Sequence, residues 1–415
     1  MRRAEATGTR KTPIAPAGAL RIVLANVRPL RPCRVALDEA LHCRLAEAVR
    51  SDRDQPPTDR SAMDGYAVIS GGIRRTPARL RLVGEVAAGS AARRPLRPGT
   101  CAAILTGAPL PRGADAVVPL EQAEREGDVV TVRAAPAPGA NIRRRGEEAA
   151  RGDVVLRKGC VLDPAAVGVL AMVGKTAVKV HPRPTVAVVS TGAEVRDAGE
   201  RVAVHQLRDS NGPALLAALA AMEVRDARRS IVSDDPAAIA ALLLRNLRTN
   251  HVVIVTGGVS VGRYDFVPEA VRRIGGRIGY HGVKMRPGRP QLYATLPGNR
   301  HIFGLPGNPV SVLTGFHEFV SPALRRLGGA NAGACRPAAR VRLEAPVRAG
   351  RGIVRFVLAR LVAAEEGLVA APLHSTGSAD LIAACEADGV IVIPEGAGEL
   401  PAGTTVEFHP WRRIL

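Results

Sequence analysis

The segment 182–328 alternates continuous runs of β-branched residues with helical stretches, and this alternation restricts the possible fold more than any other feature. Strands that lack polar alternation are buried on both faces. When helices separate such strands, the arrangement is typical of a parallel, doubly wound sheet with helices on both sides. The pattern runs, in chain order, through "TVAVVS", "GPALLAALAAM", "SDDPAAIAALLLRNL", "HVVIVTGG", "HIFGLPGNP" and "VSVLTGFHEFVSPAL".

The regions beside this sheet predict smaller domains, so the fold class is α/β multidomain. Residues 56–141 consist of short apolar runs separated by Gly and Pro turns, which indicates a β-rich inserted domain. Residues 329–415 return to strand and turn and predict a small C-terminal β-barrel or sandwich, of which we favour the barrel. The sheet domain itself is expected to span 182–328.

The N-terminal region is expected to be discontinuous in sequence. Residues 19–55 and 142–181 both have helical and extended character, and we expect them to form one domain around the insert. Residues 37–49, "LDEALHCRLAEAV", have the three- and four-residue apolar spacing of an amphipathic helix. Residues 1–18 are basic and lack the apolar middle of a secretory signal, so we expect a disordered tail.

Composition excludes several classes of protein. Hydrophobic residues make up 46% and charged residues 23% of the 415-residue chain, which is typical of a globular protein. No apolar run reaches the roughly 20 residues that span a bilayer, so no membrane role is expected. The six cysteines form no Cys-x-x-Cys pair, which argues against a zinc knuckle or a disulfide framework and favours the cytoplasm.

The formal net charge of +20 raises the possibility of nucleic-acid binding. Against it, the basic residues are mostly arginines spread along the whole chain, and aromatic residues make up only 3%. An arginine-rich codon bias gives the same count. We therefore expect no specific nucleic acid, although the charge favours anionic ligands in general.

The stretch "VVIVTGGVSVGRYDFV" (252–267) ends a predicted strand in a glycine-rich loop. Ligands of doubly wound sheets bind at the carboxyl ends of the strands. Glycines at 257, 258 and 262 permit backbone N–H groups to face an anion, and Asp265 follows them. The loop matches neither the Walker A nor the dinucleotide pattern, and glycine content alone equally allows a tight structural turn.

Two further predicted strand ends carry polar groups. Glu194 follows the strand that ends near residue 189, and "GLPGNPVSV" places Asn308 and Pro309 at the N-cap and first position of a helix. The open N-terminus of such a helix is a place for an anion. The turn "RPGRP" adds the cations Arg286 and Arg289.

Seven motifs stand in an order that resembles the MoeA family, the molybdopterin molybdenumtransferases, to which the E domain of gephyrin is similar. The resemblance covers the chain from about residue 19 to its end. The motifs are "DRSAMDGYAV", "TGAPLPRGADAVV", "NIRRRGEE", "STGAEV", "TGGVSVGRYDFV", "RPGRP" and "GLPGNPVSV".

The resemblance implies four subdomains, including a MogA/MoaB-like doubly wound domain, and a homodimer. It implies the last step of molybdenum cofactor synthesis, in which adenylylated molybdopterin and molybdate give the cofactor and AMP with the help of Mg²⁺. Other molybdenum cofactor synthesis proteins are possible partners. The alternative is a MoeA-like dimeric scaffold with weak or lost catalysis.

Matching the motifs residue by residue implies three groups of site residues. The implied catalytic residues are Asp64, Thr106, Glu194, Asp265 and Arg286. The implied ligands of the metal are Asp64, Glu194, Asp235 and Asp265, whose hard oxygens suit magnesium. The implied substrate-binding residues are Glu148, Gly257, Gly258, Ser260, Gly262, Arg289, Pro306, Gly307, Asn308, Pro309 and Ser378. In the homodimer, we expect segments near Asp64 and Ser378 to complete the site of the partner chain.

Several of these residues have a purely structural alternative. Asp235 precedes a proline and a helical run, which is typical of an N-cap, and Asp64 precedes a glycine, which is typical of a turn. Glu194 has the alternative of a solvated loop acid. Two positions also depart from the family pattern: "RPGRP" has arginines where the family has lysines, and Glu148 stands in place of an aspartate. The fork of donors on an arginine changes the geometry of anion binding without losing the charge.

Overall fold

The computed structural model describes residues 13–90, 95–259, 266–365 and 367–412. The chain divides into two compact units, and each is described by itself. The smaller unit contains Arg34–Leu41 and Glu47–Val178. The larger unit contains the N-terminal residues up to Cys33, His42–Ala46 and everything from Lys179 onward. No helix among the described residues is long and apolar enough to cross a membrane.

The first half of the chain contains mainly short strands. The helices are α1 (Pro16–Asn26) and α2 (Pro164–Met172). The strands are β1 (Cys33–Ala36), β2 (Arg44–Leu45), β3 (Val49–Arg50), β4 (Arg60–Ser61), β5 (Gly65–Val68), β6 (Ala78–Val86), β7 (Thr100–Ile104), β8 (Ala116–Pro119), β9 (Ala123–Glu126), β10 (Val129–Val132), β11 (Ile142–Arg143), β12 (Val154–Leu156) and β13 (Ala177–His181).

A six-stranded sheet with the order β8-β5-β7-β6-β10-β9 forms the core of the smaller unit. Its central strand β5 is buried along its whole length. A Cβ atom on Gly65 would lie 2.0 Å from the carbonyl oxygen of Val118 on β8, so only glycine fits there. The β-rich character expected for this part of the chain is thus present.

The helix predicted over residues 37–49 is wrong. This stretch contains turns and the short strands β2 and β3, and His42 has a left-handed backbone with φ of 63°. Strand β2 pairs with β13 and β3 pairs with β12, so pairing with distant residues overrides a local helical spacing. The helix of this region is α1, which begins at Pro16 and buries Ala19 and Val23. Residues 16–18, which fall in the expected tail, are therefore helical.

The sheet domain of the larger unit follows the predicted alternation. Its helices are α3 (Asn211–Ala221), α4 (Pro236–Leu247), α5 (Phe266–Arg273), α6 (Pro309–Gly315) and α7 (Ser321–Leu327), with a π-helical turn at Phe316–Val320. Its strands are β14 (Val186–Thr191), β15 (Val195–Arg196), β16 (Leu207–Arg208), β17 (Arg228–Val232), β18 (Val252–Thr256), β19 (Arg277–His281), β20 (Met285–Arg286), β21 (Leu292–Leu296) and β22 (Arg300–Leu305).

The main sheet has the order β17-β14-β18-β22-β21-β19. The first four strands are parallel, as predicted. Strands β21 and β19 are antiparallel to their neighbours, so the sheet is mixed at this edge. The turn between β21 and β22 explains the change, because residues 297–299 are too few for a helical crossover.

Helices cover both faces of the parallel strands. Along β14, Val186 and Val188 lie in one buried apolar cluster, whereas Ala187 and Val189 lie in another. The first cluster includes residues of α1, α3 and α6, and the second includes residues of α4 and α5. Two buried faces explain why these strands carry no polar alternation.

The C-terminal part forms the predicted barrel. Its elements are β23 (Ala339–Leu343), β24 (Val347–Arg348), β25 (Val354–Ala364), β26 (Gly367–Pro372), α8 (Leu381–Glu386), β27 (Gly389–Ile393), β28 (Glu399–Leu400) and β29 (Thr405–Pro410). Strands β25, β26, β23, β29 and β27 pair in a ring that a β25–β27 pairing closes, and β20 adds to β25. The α/β multidomain prediction is confirmed.

Candidate functional site

The carboxyl ends of β14, β18 and β22 lie side by side and bring three predicted loops together. Thr256 of β18 pairs with Ser190 of β14 and with Leu305 of β22. The hydroxyl of Thr191 donates to the carbonyl of Thr256 at 3.2 Å, and the amide of Gly257 donates to the carbonyl of Leu305 at 3.0 Å. The described beginnings of the loops after these strands therefore lie together at the edge where doubly wound sheets bind ligands. We call these loops the carboxyl rim.

The close approach of β14 dictates the glycines of the second loop. Gly257 has φ of 85°, and a Cβ atom there would lie 2.7 Å from the hydroxyl oxygen of Thr191. Gly258 has φ of 61°, and its Cβ atom would lie 3.2 Å from the same oxygen. The tight-turn interpretation therefore accounts for both residues without a ligand. The predicted site residues Ser260, Gly262 and Asp265 lie outside the described residues.

Asn308 stands at the predicted N-cap of α6, but its side chain does not cap the helix. Its Nδ2 donates instead to Oγ of Ser378 at 2.7 Å, and the amide of Val310 donates to the carbonyl of Ser378 at 3.0 Å. Two predicted substrate-binding residues are thus in contact. Within its own chain the Ser378 loop binds α6, and the role of Ser378 in the site of a partner chain stays a prediction.

The structure reveals a buried carboxylate that the sequence argument missed. Asp209, 5% exposed, accepts from Oγ of Ser190 at 2.9 Å, from the amide of Gly212 at 2.8 Å and from Arg229 at 3.1 Å. Arg229 also donates to Asp197 at 2.7 Å, and this hydrogen bond is the main cause that raises the pKa of its guanidinium. Asp209 therefore fixes the start of α3 against the end of β14.

Asn211 links this network to the third loop of the rim. Its Nδ2 donates to the carbonyl of Gly307 at 2.7 Å, whereas its Oδ1 is buried and has no partner in the described part of the chain. The sequence "RDSNGPA" carried the signal for both residues, because Asp, Ser and Asn before an apolar helical run are typical of a helix start.

The two predicted acidic site residues that are described in the larger unit, Asp235 and Glu194, have separate surroundings. Asp235 caps α4 by accepting from the amides of Ala237 at 3.3 Å and Ala238 at 2.9 Å, so its structural alternative is confirmed. Glu194 is exposed at the rim. The described ranges contain no group of three His, Cys, Asp or Glu side chains placed to hold a metal ion.

The cationic turn presents two guanidinium groups to solvent. Arg286 and Arg289 are exposed, and neither has an ion-pair partner among the described residues. Between them, Gly288 has φ of 94°, and a Cβ atom there would lie 2.9 Å from Nε2 of the buried Gln291. The backbone of the turn is thus packed on Gln291, while both charges remain free to bind an anion.

We expect the Arg286→Ala variant to lose anion binding and retain its fold, because packing on Gln291 and the Pro-Gly turn specify the backbone without the guanidinium. Arg286→Lys restores the charge and is expected to be tolerated. The measurement is the affinity for AMP of both variants beside thermal unfolding. A lysine variant as impaired as the alanine variant would show that the charge is not what this turn supplies.

In the smaller unit, Asp64 and Thr106 form a hydrogen-bonded pair. The carboxylate Oδ1 of Asp64 accepts from the amide of Thr106 at 2.6 Å and from its hydroxyl at 2.8 Å. The hydrogen bond from the amide, and next that from the hydroxyl, lower the pKa of Asp64. Two predicted catalytic residues therefore lie together, and one of them holds the other in its charged form.

We expect Thr106→Val to raise the pKa of Asp64 part of the way toward its ordinary value, because the backbone donor remains when the hydroxyl is removed. The carbon-13 shift of the Asp64 carboxyl, followed with pH, measures the change. Thr100→Val, in the same sheet but bonded to Arg97 instead, is the matched control. An unchanged titration of Asp64 in the Thr106 variant would contradict the observed pairing.

The arginine run at 143–145 is paired with carboxylates. Arg143 lies 3.2 Å from Glu148, the residue that stands in place of the family's aspartate. Arg144 donates to Asp59 at 2.9 Å, and Arg145 donates to Asp54 at 2.5 Å. The "NIRRRGEE" motif is thus a loop bound by ion pairs, although the side chains of its three arginines remain exposed.

Comparisons with known proteins cover nearly the whole chain. Family models match residues 14–174 (MoeA N-terminal region, domains I and II), 187–326 (probable molybdopterin binding domain) and 340–411 (MoeA C-terminal region, domain IV). This chain is 31% identical to the molybdopterin molybdenumtransferase of Staphylococcus aureus (strain MSSA476) and 30% identical to that of a Staphylococcus epidermidis strain. Each alignment spans 403 residues, which is 96% of this chain and 96% of the relative. A crystal structure of a molybdopterin biosynthesis MoeA protein from Pyrococcus horikosii, 30% identical, matches with a TM-score of 0.79 over 97% of this chain and 100% of that one.

The fold and the carboxyl rim first define a class, multidomain proteins with a domain of the probable molybdopterin-binding type. The two flanking matches are specific to one family within that class. The chain belongs to the MoeA family, whose members are transferases of molybdenum cofactor biosynthesis.

Proposed function

We propose that this protein inserts molybdate into adenylylated molybdopterin and releases AMP. The observation that carries the proposal is the match of the whole chain to molybdopterin molybdenumtransferases at 31% identity over 403 residues. The carboxyl rim supports it, because that edge of the sheet gathers the loops of three of the seven motifs. The rim and the cationic turn would receive the two anionic substrates.

The chemistry requires that charge be neutralised, since both substrates are anions. We propose that Arg286 and Arg289 bind oxyanions, together with amides of the rim. Asn308 and Ser378 would position the organic part of the substrate, and Asn211, with its unpartnered buried Oδ1, would receive a donor from it.

We propose Mg²⁺ as the cofactor, held by carboxylates from Asp64, Glu194 and Asp265. Hard oxygen ligands fit magnesium, and the pKa of Asp64 is already lowered so that it is charged at neutral pH. Asp235 leaves the proposed set, because its two oxygens cap α4. When bound, the ion would neutralise the phosphate groups of the nucleotide.

We propose a homodimer in which Asp64 of one chain completes the rim of the other. The motive is that Asp64 and Thr106 lie in a different unit from Glu194 and the cationic turn, although all match one family site. We place the protein in the cytoplasm, and other molybdenum cofactor synthesis proteins are the proposed partners.

Mixing inactive Asp64→Asn and Asp265→Asn chains is expected to restore activity through hybrid dimers, because one of the two sites in each hybrid is then intact. The measurement is AMP release after subunit exchange, with each variant alone as control. Sedimentation at the assay concentration reports the assembly. An active monomer, or a hybrid dimer without activity, would exclude the shared site.

The test of the function is AMP release from adenylylated molybdopterin when molybdate is added. We expect release with magnesium and none after chelation. The alternative, a dimeric scaffold, predicts binding of the nucleotide without release of AMP under any metal. Complementation of a strain that lacks its molybdenum-insertion enzyme gives an independent answer.

A further inference from the structure

A pocket of about 800 Å³ opens in the larger unit at the edge of the sheet opposite to the carboxyl rim. His251 directly precedes β18 and Asn299 directly precedes β22, so this wall lies at the amino ends of the parallel strands. Leu296, at the end of the antiparallel strand β21, lies at the same edge. The pocket is therefore separate from the residues to which the proposed function assigns a role.

The pocket is lined by cations without counter-charges. Arg28 and Arg31 line it, and no Asp or Glu does. Both guanidinium groups are exposed and have no ion-pair partner among the residues that the structure describes. Two unpaired guanidiniums in one concave surface attract an anion and can bind it with paired hydrogen bonds.

His251 supplies a neutral donor to the same pocket. The amide of Thr185 donates to Nδ1 of His251 at 3.1 Å, so Nδ1 accepts and the proton of the neutral ring lies on Nε2. Burial, and next the charge of Arg300, lower the pKa of His251, which keeps the ring neutral. Among the described residues, Nε2 has no partner. Its N–H is free to bind a ligand.

The wall that carries Arg28 is held by a chain of hydrogen bonds that runs from the partly buried Asn299 to the buried His301 and Tyr293. Asn299 accepts from the amide of Arg28 at 3.1 Å and donates to its carbonyl at 2.8 Å. His301 lies 3.2 Å from the same Asn299 oxygen, and Tyr293 lies 3.0 Å from the other ring nitrogen of His301. Burial lowers the pKa of His301 to about 4, so the ring is neutral and can donate to Asn299. The pocket is thus preorganised by its own hydrogen bonds.

We propose that this pocket is a second ligand site, which binds a phosphate monoester with an apolar body. The two guanidinium groups and the N–H of His251 are three separate donor groups, and they match the three terminal oxygens of such a phosphate. The lining also has an apolar part, which a purely inorganic ion does not use; it consists of Pro29, Leu30, Pro182 and Leu296.

The test is a titration of the full chain, labelled with nitrogen-15 histidine, with phenyl phosphate and with inorganic phosphate. We expect phenyl phosphate to move the Nε2–H resonance of His251 at lower concentration than inorganic phosphate does. Arg28→Ala combined with Arg31→Ala is expected to weaken this binding at least tenfold, since two charge-assisted hydrogen bonds are lost. Because the resonance is local, binding at the carboxyl rim does not mimic the result.

Arg21→Ala combined with Arg245→Ala is the matched control, because it removes the same charge from exposed positions outside the pocket. We expect this control to bind as the wild type does. If both double variants bound phenyl phosphate equally weakly, the effect would come from net charge alone and the proposed site would be wrong. No response of His251, or equal affinity for both phosphates, would also overturn the proposal.

Discussion

Replacing Asp265 by asparagine is expected to lower the rate of AMP release by about a hundredfold or more, while the protein remains folded. A loss of that scale follows when a charge-stabilising group is removed from a transition state. Asparagine keeps the shape of the side chain but removes its formal charge. The fold should survive, because a loop that follows a strand carries little of the core. Binding of adenylylated molybdopterin should persist and become tighter, since one repulsive charge is gone.

The measurement compares AMP release on addition of molybdate for the wild type and the variant, each with and without magnesium. Asp226→Asn is the matched control, because Asp226 is an exposed aspartate of the same domain outside the rim. Circular dichroism verifies that both variants are folded. A variant as fast as the wild type would remove Asp265 from the mechanism and leave the remaining rim residues to carry the proposal.

The sequence predicted those elements whose structure depends on nearby residues and failed where contacts with distant residues determine it. The strands β14, β18 and β22 were predictable, because burial on both faces leaves an uninterrupted apolar run in the sequence itself. The stretch 37–49 was not, because its strands pair with residues more than 100 positions away and its local spacing happens to be helical. The antiparallel edge of the sheet was missed for a different reason, since a pattern of apolar runs does not give strand direction.

The same distinction holds at the candidate site. The N-cap position of Asn308 follows from a local rule, although its side chain does not cap α6. Glycines 257 and 258 were found from a local pattern, but the contact that requires them is with Thr191 of β14. The contact of Asn308 with Ser378 joins two residues 70 positions apart, and no local pattern encodes it. Asp209 was missed because its role depends on three partners from different elements. Motif reasoning finds exposed ligands more readily than the buried residues that hold them.

A buried charge network in the larger unit is expected to contribute strongly to the stability of the fold. Glu318, on the π-helical turn, has a side chain only 1% exposed and binds Nδ1 of His409 at 2.7 Å and Arg336 at 3.3 Å. The other ring nitrogen of His409 lies 2.7 Å from Glu407. Since both nitrogens face carboxylates, His409 is held as the imidazolium. Burial lowers the pKa of His409, but the hydrogen bond and charge of Glu318 outweigh burial and raise it overall.

We expect Glu318→Gln to reduce the free energy of unfolding by about 3 to 5 kcal/mol, because it removes the buried carboxylate and leaves the positive charge only the half-exposed Glu407. Glu407→Gln is the matched control. The side chain of Glu407 is 45% exposed, so solvent screens its interaction and we expect a loss of about 1 kcal/mol or less. Urea unfolding at pH 6 measures both. Equal losses in the two variants would show that burial of Glu318 does not set the strength of the network.

The pH dependence separates this electrostatic effect from a packing defect. Because the pKa of His409 is raised in the folded state, its contribution is fully present below the unfolded value of about 6.5 and is lost as pH rises through the folded pKa. The difference between wild type and Glu318→Gln should therefore shrink above that pKa. The pKa of the neighbouring His317 is shifted in the opposite direction, because burial lowers it to about 3. The contribution of His317 to stability is therefore lost as pH falls below about 6.5. Both proteins retain His317, so its contribution cancels in the difference between them, and a difference that stays constant up to pH 9 would assign the loss to packing alone.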